Sequence, residues 1–327
     1  MTVYNRFVFI VLFVFILLQG CRDGAKQSTF IEPQLVKDYN FNLIHQSYDK
    51  LHKNRSSLYN SYASPPLDEN GVNLLSYNGA EHYHPVYLCH RSLEALSDYY
   101  LSMNNFYLQH AIKCMEALRS RAVRKDDMIY FPYDFDYNES NVIFYTAPWF
   151  SGMAQGMALS AYSRLYHFTD EPLYAAVADS ILRTMSDFDG EYETVLITDE
   201  YSPFVDGRYY WVDEYPHFIK RYVLNGSIIG AMGLYDHWWV FGDDSSKSLF
   251  SKELTTIKDN VLLYRNPGGI SFYDLYTRYP HPNYHQVHQD LLNSLTELTG
   301  DMFFSAISEL FYILIFPRCL SSWLAVN

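Results

Sequence analysis

Residues 85–123 read PVYLCHRSLEALSDYYLSMNNFYLQHAIKCMEALRSRAV, and this stretch decides the fold. Apolar residues recur at helical spacing in both halves, and Asn104 and Asn105 interrupt the pattern between them. Pro85 stands in the first turn of the first half, a position that favours proline because its missing N–H is not needed there. The stretch therefore predicts a helical hairpin, two helices joined by a short turn.

The same pattern of two adjacent helical stretches recurs three more times along the chain. The repeated pairs are residues 149–168 with 171–188, 223–241 with 246–264, and 285–298 with 303–316. A recurrence of this length without sequence identity is typical of helical pairs that pack side by side. We therefore predict a mainly α fold, an (α/α) toroid or barrel of about four helical hairpins.

The connections between the predicted hairpins are long and contain β-like segments rich in aromatic and β-branched residues. These segments are residues 128–131 with 142–145, 194–197 with 208–211, and 269–273. Each joins the second helix of one pair to the first helix of the next, so the short turns lie at one end and the long connections at the other. Long connections in a compact domain are usually functional. We therefore expect short β-hairpins and the active-site cleft at that end.

The N-terminus carries an export pattern. Arg6 precedes an apolar run over residues 7–18, which has the length of a signal-peptide core but is shorter than the roughly 20 residues that span a bilayer. The following Leu18-Gln19-Gly20-Cys21 resembles a bacterial lipoprotein box, in which the cysteine becomes the lipidated first residue. We predict a lipoprotein-type signal peptide over residues 1–21, a tether and extended approach over 22–60, and the helical domain over 61–327.

This pattern places the mature protein in the bacterial cell envelope, anchored to the membrane through a lipid on Cys21. Secretion, or anchoring by an uncleaved signal, is the alternative. Beyond Cys21 the chain has Cys89, Cys114 and Cys319, with no CxxC spacing. The sequence therefore predicts no disulfide framework, and it favours buried thiols at Cys89 and Cys114 because both lie in helical patterns.

Composition narrows the classes of partner. Of the 327 residues, 24 are Lys or Arg and 37 are Asp or Glu, so the net charge is −13. Nonspecific nucleic-acid binding needs a basic surface, so we expect no nucleic-acid partner. Aromatic residues make up 18% of the chain, and aromatic rings stack on apolar faces of ligands while Tyr hydroxyls add hydrogen bonds. A sugar-binding cleft and an aromatic core both explain this content.

Three segments at the predicted cleft end carry dense clusters of polar and aromatic residues. They are Trp211–Pro216, Gly269–Arg278 and Pro282–His288. On the topology argued above, all three face one pocket. A carboxylate, several phenols, an arginine and two histidines would then converge there.

Here the sequence resembles the C-terminal domain of the D-glucuronyl C5-epimerases, which convert glucuronate to iduronate within heparan sulfate or heparosan-like chains. The resemblance spans residues 75–300 and rests on five motifs that occur in the order found in that family. The motifs are Ala147-Pro-Trp-Phe-Ser-Gly-Met-Ala-Gln-Gly156, Asp213-Glu-Tyr-Pro216, Val223-Leu-Asn-Gly226 with Gly233-Leu-Tyr-Asp236, Tyr273-Asp-Leu275, and Tyr284-His285 with His288.

The chemistry of epimerisation explains why these residue types occur together. A proton leaves C5 of the hexuronate on one face and another returns on the opposite face, so two acid–base groups must flank the ring. The resemblance implies catalytic roles for Tyr284, for the pair Glu214 and Tyr215, and for Tyr273. We expect Tyr284 to act on one face and Glu214, relayed through Tyr215, on the other, with the reverse assignment left open.

The resemblance also implies substrate-binding residues, and here the sequence departs from the family. Arg278 is expected to clamp the substrate carboxylate, although animal members carry Arg directly after Tyr-Asp-Leu, where this chain has Tyr276. His84 stands where the family has Tyr before Pro, and the chain has little room for the β-rich N-terminal region of animal members. The candidate substrate-binding set is Arg278, His285, His288, Asn225, Trp149, Gln155, Tyr83 and His84.

Three functions stay open on sequence grounds. The first is a cofactor-free C5-epimerase acting on a uronate-containing polysaccharide, and the second is a uronate polysaccharide lyase, because β-elimination starts with the same proton abstraction. The third is a lipid-anchored glycan-binding protein without catalysis, supported by the altered positions of Arg278 and His84. His285 and His288 lie one helical turn apart, but no third ligand is evident, so we expect no metal. A homodimer is one of the oligomeric states that the sequence leaves open.

Overall fold

The computed structural model describes residues 35, 37–52, 66–139, 143–188, 190–198 and 202–312. The predicted signal peptide with Cys21, much of the predicted tether, Cys319 and the apolar tail beyond residue 312 lie outside the described residues. Among the helices of this described part, none is both long and apolar enough to cross a membrane.

Eight α-helices form four hairpins in the described part of the chain. They are α1 (Pro85–Ser102), α2 (Asn105–Arg119), α3 (Gly152–Thr169), α4 (Pro172–Thr184), α5 (Leu224–Phe241), α6 (Asp244–Asn260), α7 (Pro282–Thr299) and α8 (Met302–Tyr312). The odd-numbered helices contact one another in chain order, and each even-numbered helix packs on the helix before it. The predicted (α/α) toroid of helical hairpins is confirmed, with α1, α3, α5 and α7 as its inner helices.

The hairpin turns share one geometry, and each follows the C-terminal end of an inner helix. Each inner helix ends at a residue in the left-handed conformation, with φ between 53° and 71°, and the next helix starts after one further residue. The turns are Met103–Asn104, Asp170–Glu171, Gly242–Asp243 and Gly300–Asp301. A left-handed residue stops the helix because it redirects the chain while its N–H still bonds the last turn.

Short antiparallel strand pairs fill the connections. They are β1 (Leu75–Tyr77) with β2 (Ala80–His82), β3 (Val123–Lys125) with β4 (Met128–Tyr130), β5 (Tyr137–Glu139) with β6 (Ile143–Tyr145), and β7 (Val195–Ile197) with β8 (Tyr210–Val212). The β-like stretch 128–131 therefore pairs with its own preceding residues and not with 142–145. Residues 269–273 form no strand, and only a single bridge joins Phe272 to Pro280.

Residues 37–52, here called the N-terminal strap, are part of the folded domain. Phe41, Tyr48 and Leu51 are buried in the main hydrophobic core. The Tyr48 ring packs against rings near the C-terminal ends of α1, α3 and α5. Residues 37–52 of the predicted tether and extended approach therefore pack against the helices. The strap's buried side chains follow no regular period because most of the strap has no regular secondary structure.

The inner helices α3 and α5 approach each other closely where glycines leave no room for a side chain. A Cβ atom at Gly156 would overlap the backbone of Gly230, and one at Gly233 would overlap the carbonyl of Gly156. The family motifs that contain Gly156 and Gly233 therefore include residues that are needed for close helix packing. Cys89 and Cys114 are buried free thiols, as predicted.

Candidate active site

A cavity of 460 Å³ lies at the end of the toroid that holds the long connections. Residues at the N-terminal ends of α1, α3, α5 and α7 all line it, and the connections supply most of the remaining wall. The residues that matter for chemistry are His84, Trp149, Ser151, Glu214, Tyr215, Asn225 and Tyr284. Helix N-termini carry partial positive charge, so this arrangement favours an anionic ligand.

The structure brings the four residues predicted to be catalytic close together. Tyr284, Glu214 and Tyr215 line the cavity. Tyr273 lies between two of them: its hydroxyl donates a hydrogen bond to Glu214 Oε1 at 3.5 Å, and its ring centroid is 4.6 Å from that of Tyr284. An acid and two phenols therefore line one space, and a third phenol, that of Tyr273, lies directly behind them.

The backbone around Glu214 is fixed by the helices on both sides. Gly152 N, at the start of α3, donates to the Asp213 carbonyl at 2.7 Å. Asp213 Oδ1 accepts from Tyr215 N at 3.2 Å. A Cβ atom at Gly226, in the first turn of α5, would overlap the Glu214 side chain. The glycine of the Val223–Gly226 motif therefore leaves the space that the candidate acid occupies.

Burial sets the protonation states of several groups at the site. Burial, with further contributions from Glu214 and Tyr284, raises the pKa of Tyr273 well above its ordinary value, while Tyr215 and Arg221 act in the opposite direction. Burial lowers the pKa of His84 to about 4. At neutral pH Tyr273 is therefore a hydrogen-bond donor, and His84 is an uncharged imidazole whose Nδ1 accepts from Tyr87 N at 3.2 Å.

Aromatic rings form one wall of the cavity. Trp149 stacks parallel to Tyr133 with ring centroids 3.8 Å apart, and its Nε1 donates to the Phe135 carbonyl at 2.9 Å. The rings of Tyr137 and Tyr215 lie 5.8 and 6.2 Å from Trp149. This wall gives the cavity an apolar face of the kind on which a sugar ring can stack.

Arg278 does not reach the cavity. Its side chain is exposed, its backbone is in the left-handed region with φ of 49°, and its guanidinium carbon lies 6.0 Å from the Phe272 ring. This corrects the expectation that Arg278 clamps a substrate carboxylate there. The turn that follows Asp274 directs the side chain to the surface, which the spacing along the sequence did not reveal.

His285 and His288 face away from the cavity as well. His285 Nδ1 accepts from Ser271 N at 3.0 Å, and the Ser271 hydroxyl lies 2.8 Å from His288 Nδ1. Burial lowers the pKa of His288 to about 3, so it is neutral. These histidines join α7 to the 269–273 segment, which corrects their assignment to substrate binding. Among the described residues, no group of three or more His, Cys, Asp or Glu side chains is placed to hold a metal ion.

Gln155 and Tyr83 also have structural contacts and do not line the cavity. Gln155 is fully buried and its amide nitrogen donates to the Ile129 carbonyl and to Thr184 Oγ1, both at 2.9 Å. The Tyr83 hydroxyl donates to Asp68 Oδ2 at 2.8 Å. The structure therefore places both residues outside this cavity. Of the predicted substrate-binding set, His84, Trp149 and Asn225 line the cavity.

Arg221 stands two positions before the Val223–Gly226 motif and is not among the predicted site residues. In the structure it is 2% exposed and its Nη2 is 2.5 Å from Asp274 Oδ2. Its guanidinium carbon lies 5.4 Å from the Tyr215 ring centroid and 5.5 Å from that of Tyr273. Arg221 is therefore a buried cation next to the candidate phenols. In the sequence, only its position just before the Val223–Gly226 motif pointed to a place near the site.

A second cavity of 530 Å³ shares the lining residues Ile229 and Val287 with the first. Its lining holds four carboxylate side chains, Asp49, Glu94, Asp290 and Glu297, which outnumber its single lysine, Lys50, and it also includes His52 and His90. Such a lining repels an anionic ligand. The first cavity is therefore the better candidate site for an anionic ligand.

Comparison with known proteins agrees with the motifs. Residues 125–312 match the model of the family described as D-glucuronyl C5-epimerase C-terminus. Among solved structures, the chain is similar to cellobiose 2-epimerase from Bacillus thermoamylovorans B4167, with 16% identity and a TM-score of 0.49 over 71% of this chain and 58% of that chain. It is also similar to a family 76 glycoside hydrolase from a bovine Bacteroides thetaiotaomicron strain, with 12% identity and a TM-score of 0.44 over 69% of this chain and 43% of that chain. The match thus spans less than two thirds of the length of either structure.

Proposed function

This chain belongs to the family of the D-glucuronyl C5-epimerase C-terminus, a family of carbohydrate epimerases, and from that premise we propose that it inverts C5 of D-glucuronate residues in a polysaccharide. The observation that carries the proposal is one cavity lined by Tyr284, Glu214 and Tyr215, with Tyr273 in contact behind them. These groups can supply the two acid–base functions that inversion at C5 requires.

In the proposed reaction, one group takes the proton from C5 and a second group returns a proton to the opposite face. The C–H bond electrons pass into the adjacent carboxylate as an enediolate and return when the new C–H bond forms. Tyr284 serves one face, and Glu214, relayed through Tyr215, serves the other. The phenol is a strong base when ionised and a usable acid when neutral, so each group can take either role.

Local electrostatics reconcile an anionic substrate with a protein of net charge −13. The first turns of α1, α3, α5 and α7 face the cavity, so the ends of several helix dipoles point their positive side at the bound uronate. Lys220, six positions after Glu214, adds little positive potential at the cavity, because two carboxylates lie close to its charge. Its Nζ is 2.9 Å from Glu193 Oε2 and 3.8 Å from Asp213 Oδ2. The backbone N–H groups at these helix N-termini are the proposed source of positive potential at the bound uronate.

Isotope exchange tests the proposal. The purified protein is incubated in D2O with heparosan-type chains and a panel of other uronate polymers, and deuterium at C5 is followed by NMR. We expect deuterium at C5 and iduronate signals with at least one polymer. Absence of exchange across the panel, despite measurable polymer binding, would favour the glycan-binding alternative. Exchange accompanied by an unsaturated, ultraviolet-absorbing uronate product would show a lyase.

A further inference from the structure

Arg221 is held in place by its buried partner. Asp274 is fully buried, and besides the Arg221 ion pair it accepts hydrogen bonds from Thr277 N at 2.6 Å and from Thr277 Oγ1 at 2.8 Å. A carboxylate with several donors has little freedom to turn, and the planar guanidinium beside it is fixed in direction.

The backbone ties the cation to one of the candidate phenols. Leu275 N donates to the Arg221 carbonyl at 3.0 Å, and Leu224 N donates to the Tyr273 carbonyl at 3.4 Å. These bonds belong to a short antiparallel bridge between Val223 and Asp274. Arg221 and Tyr273 therefore keep a set distance from each other.

The guanidinium contacts two phenols of the candidate site without lining the cavity itself. Its carbon lies 5.4 Å from the Tyr215 ring and 5.5 Å from the Tyr273 ring, within the range of about 6 Å at which a cation and an aromatic face attract each other. Tyr215 lines the cavity, and Tyr273 donates to Glu214. Any effect of Arg221 on a bound uronate is therefore exerted through these phenols.

We propose that Arg221, fixed by Asp274, is a positioning residue that orients Tyr215 and Tyr273 and stabilises the phenolate that forms when either phenol gives up its proton. A buried phenol near a carboxylate resists ionisation, and a fixed cation at this distance offsets part of that cost. In this step the phenol O–H bond breaks and its proton moves to C5 or to Glu214. The negative charge stays on the phenol oxygen. This inference rests on the proposed function.

The pH dependence of C5 exchange tests the inference. Arg221→Met should lower the exchange rate at neutral pH at least about 10-fold and move the part of the profile that rises with pH upward by about one pH unit. Arg221→Lys keeps a charge and should recover part of the rate and of the profile. A purely structural role would lower the rate equally at every pH.

Removing Arg221 alone leaves Asp274 buried without its cation and risks unfolding. The double variant Arg221→Met with Asp274→Leu removes both charges and should show the same alkaline displacement. The matched control is Arg164→Met with Asp236→Leu, because that pair is equally buried, with 2.7 Å between Arg164 Nη2 and Asp236 Oδ2, and its guanidinium also faces a Tyr ring outside the cavity. The control should keep the wild-type profile. An unchanged profile in the Arg221 double variant, or an equal change in the control, would overturn the inference.

A substrate-free measurement separates failure of this inference from failure of the proposed function. If the wild-type protein exchanges no C5 hydrogen on any polymer, the proposed function fails. The effect of Arg221 on tyrosine ionisation can still be measured by NMR in protein labelled with ¹³Cζ-tyrosine. The Tyr215 signal is assigned with Tyr215→Phe. Its ionisation midpoint should rise by about one pH unit or more in the Arg221 double variant. An unchanged midpoint would overturn the inference by itself.

Discussion

At the scale of single residues, the hydroxyl of Tyr284 is the group on which the proposed chemistry depends most. Tyr284→Phe removes only this oxygen, so the C5 exchange rate should fall at least about 100-fold, the lower range for loss of an acid–base group. Polymer affinity measured by calorimetry should change less than about threefold, since the ring remains. Tyr279→Phe is the matched control, because Tyr279 lies outside the cavity and is 57% exposed. Near-normal exchange in Tyr284→Phe would remove Tyr284 from the mechanism.

A second prediction at this scale concerns Phe218, which is 85% exposed. Its ring is 4.1 Å from that of His217, which lies 5.4 Å from Tyr145, and Tyr145 lies 5.2 Å from Trp149 in the cavity wall. This aromatic path from the cavity to the surface suits a neighbouring sugar of a polymer. Phe218→Ala should raise KM for a polymer about 5- to 10-fold with little change in kcat, as loss of one stacking contact implies.

Steady-state exchange kinetics on long and short substrates check the Phe218 prediction. The effect should disappear with a substrate too short to reach Phe218. Phe106→Ala, which removes a ring that is 58% exposed at the hairpin-turn end, serves as the control and should leave KM unchanged. Equal KM values for wild type and Phe218→Ala on long chains would rule out a contact at this ring.

At the scale of elements, the N-terminal strap is predicted to contribute to stability. Tyr48 is 4% exposed and contacts rings from three inner helices, so Tyr48→Ala should lower the free energy of unfolding by about 3–5 kcal/mol. Ile44→Ala, in the same segment but 43% exposed, should cost less than about 1 kcal/mol. Urea unfolding followed by circular dichroism measures both. Equally small effects would mean that the strap is not part of the cooperative fold.

At the scale of the whole molecule, buried carboxyl groups make stability depend on pH. Burial raises the pKa of Glu253 to about 8 and that of Asp213 to about 6. Both groups ionise near their ordinary values of 4.5 and 3.8 when the chain unfolds. Through these two groups the unfolded chain binds fewer protons, so their contribution to the free energy of unfolding should fall as pH rises between each group's two pKa values, by up to about 1.4 kcal/mol per pH unit for each group. The buried, neutral His84 and His288 contribute in the opposite direction below about pH 6.5.

The variant Glu253→Gln tests this pH dependence, because it removes the larger of the two pKa differences. Between about pH 5 and pH 8 the stability lost by the wild type relative to the variant should grow with pH, because only the wild type has the Glu253 contribution, while Asp213 contributes below about pH 6 in both proteins. Urea unfolding at a series of pH values gives the comparison. Glu309→Gln, at an exposed position on α8, is the control and should keep the wild-type slope. A slope unchanged in Glu253→Gln would contradict the assignment.

The sequence by itself determined the helical hairpins, the end that carries the long connections and the family. A helical period depends on residues three or four positions apart, and caps such as Pro85 and Asn104 act on their own turn, so both are readable locally. The ordered motifs indicated the family, because several of their residues, including Trp149, Glu214 and Tyr284, line the cavity. These features also located Glu214, Tyr215 and Tyr284 correctly at one end of the fold.

Only the tertiary structure decided which polar side chains face the cavity. Arg278, His285 and Gln155 point elsewhere, while Arg221 lies beside the phenols through a partner 53 positions away. The N-terminal strap likewise acquired its buried contacts from helices distant in sequence. The physical reason is that side-chain direction in irregular connections follows the local backbone path and pairings between remote segments, and neither leaves a period in the sequence.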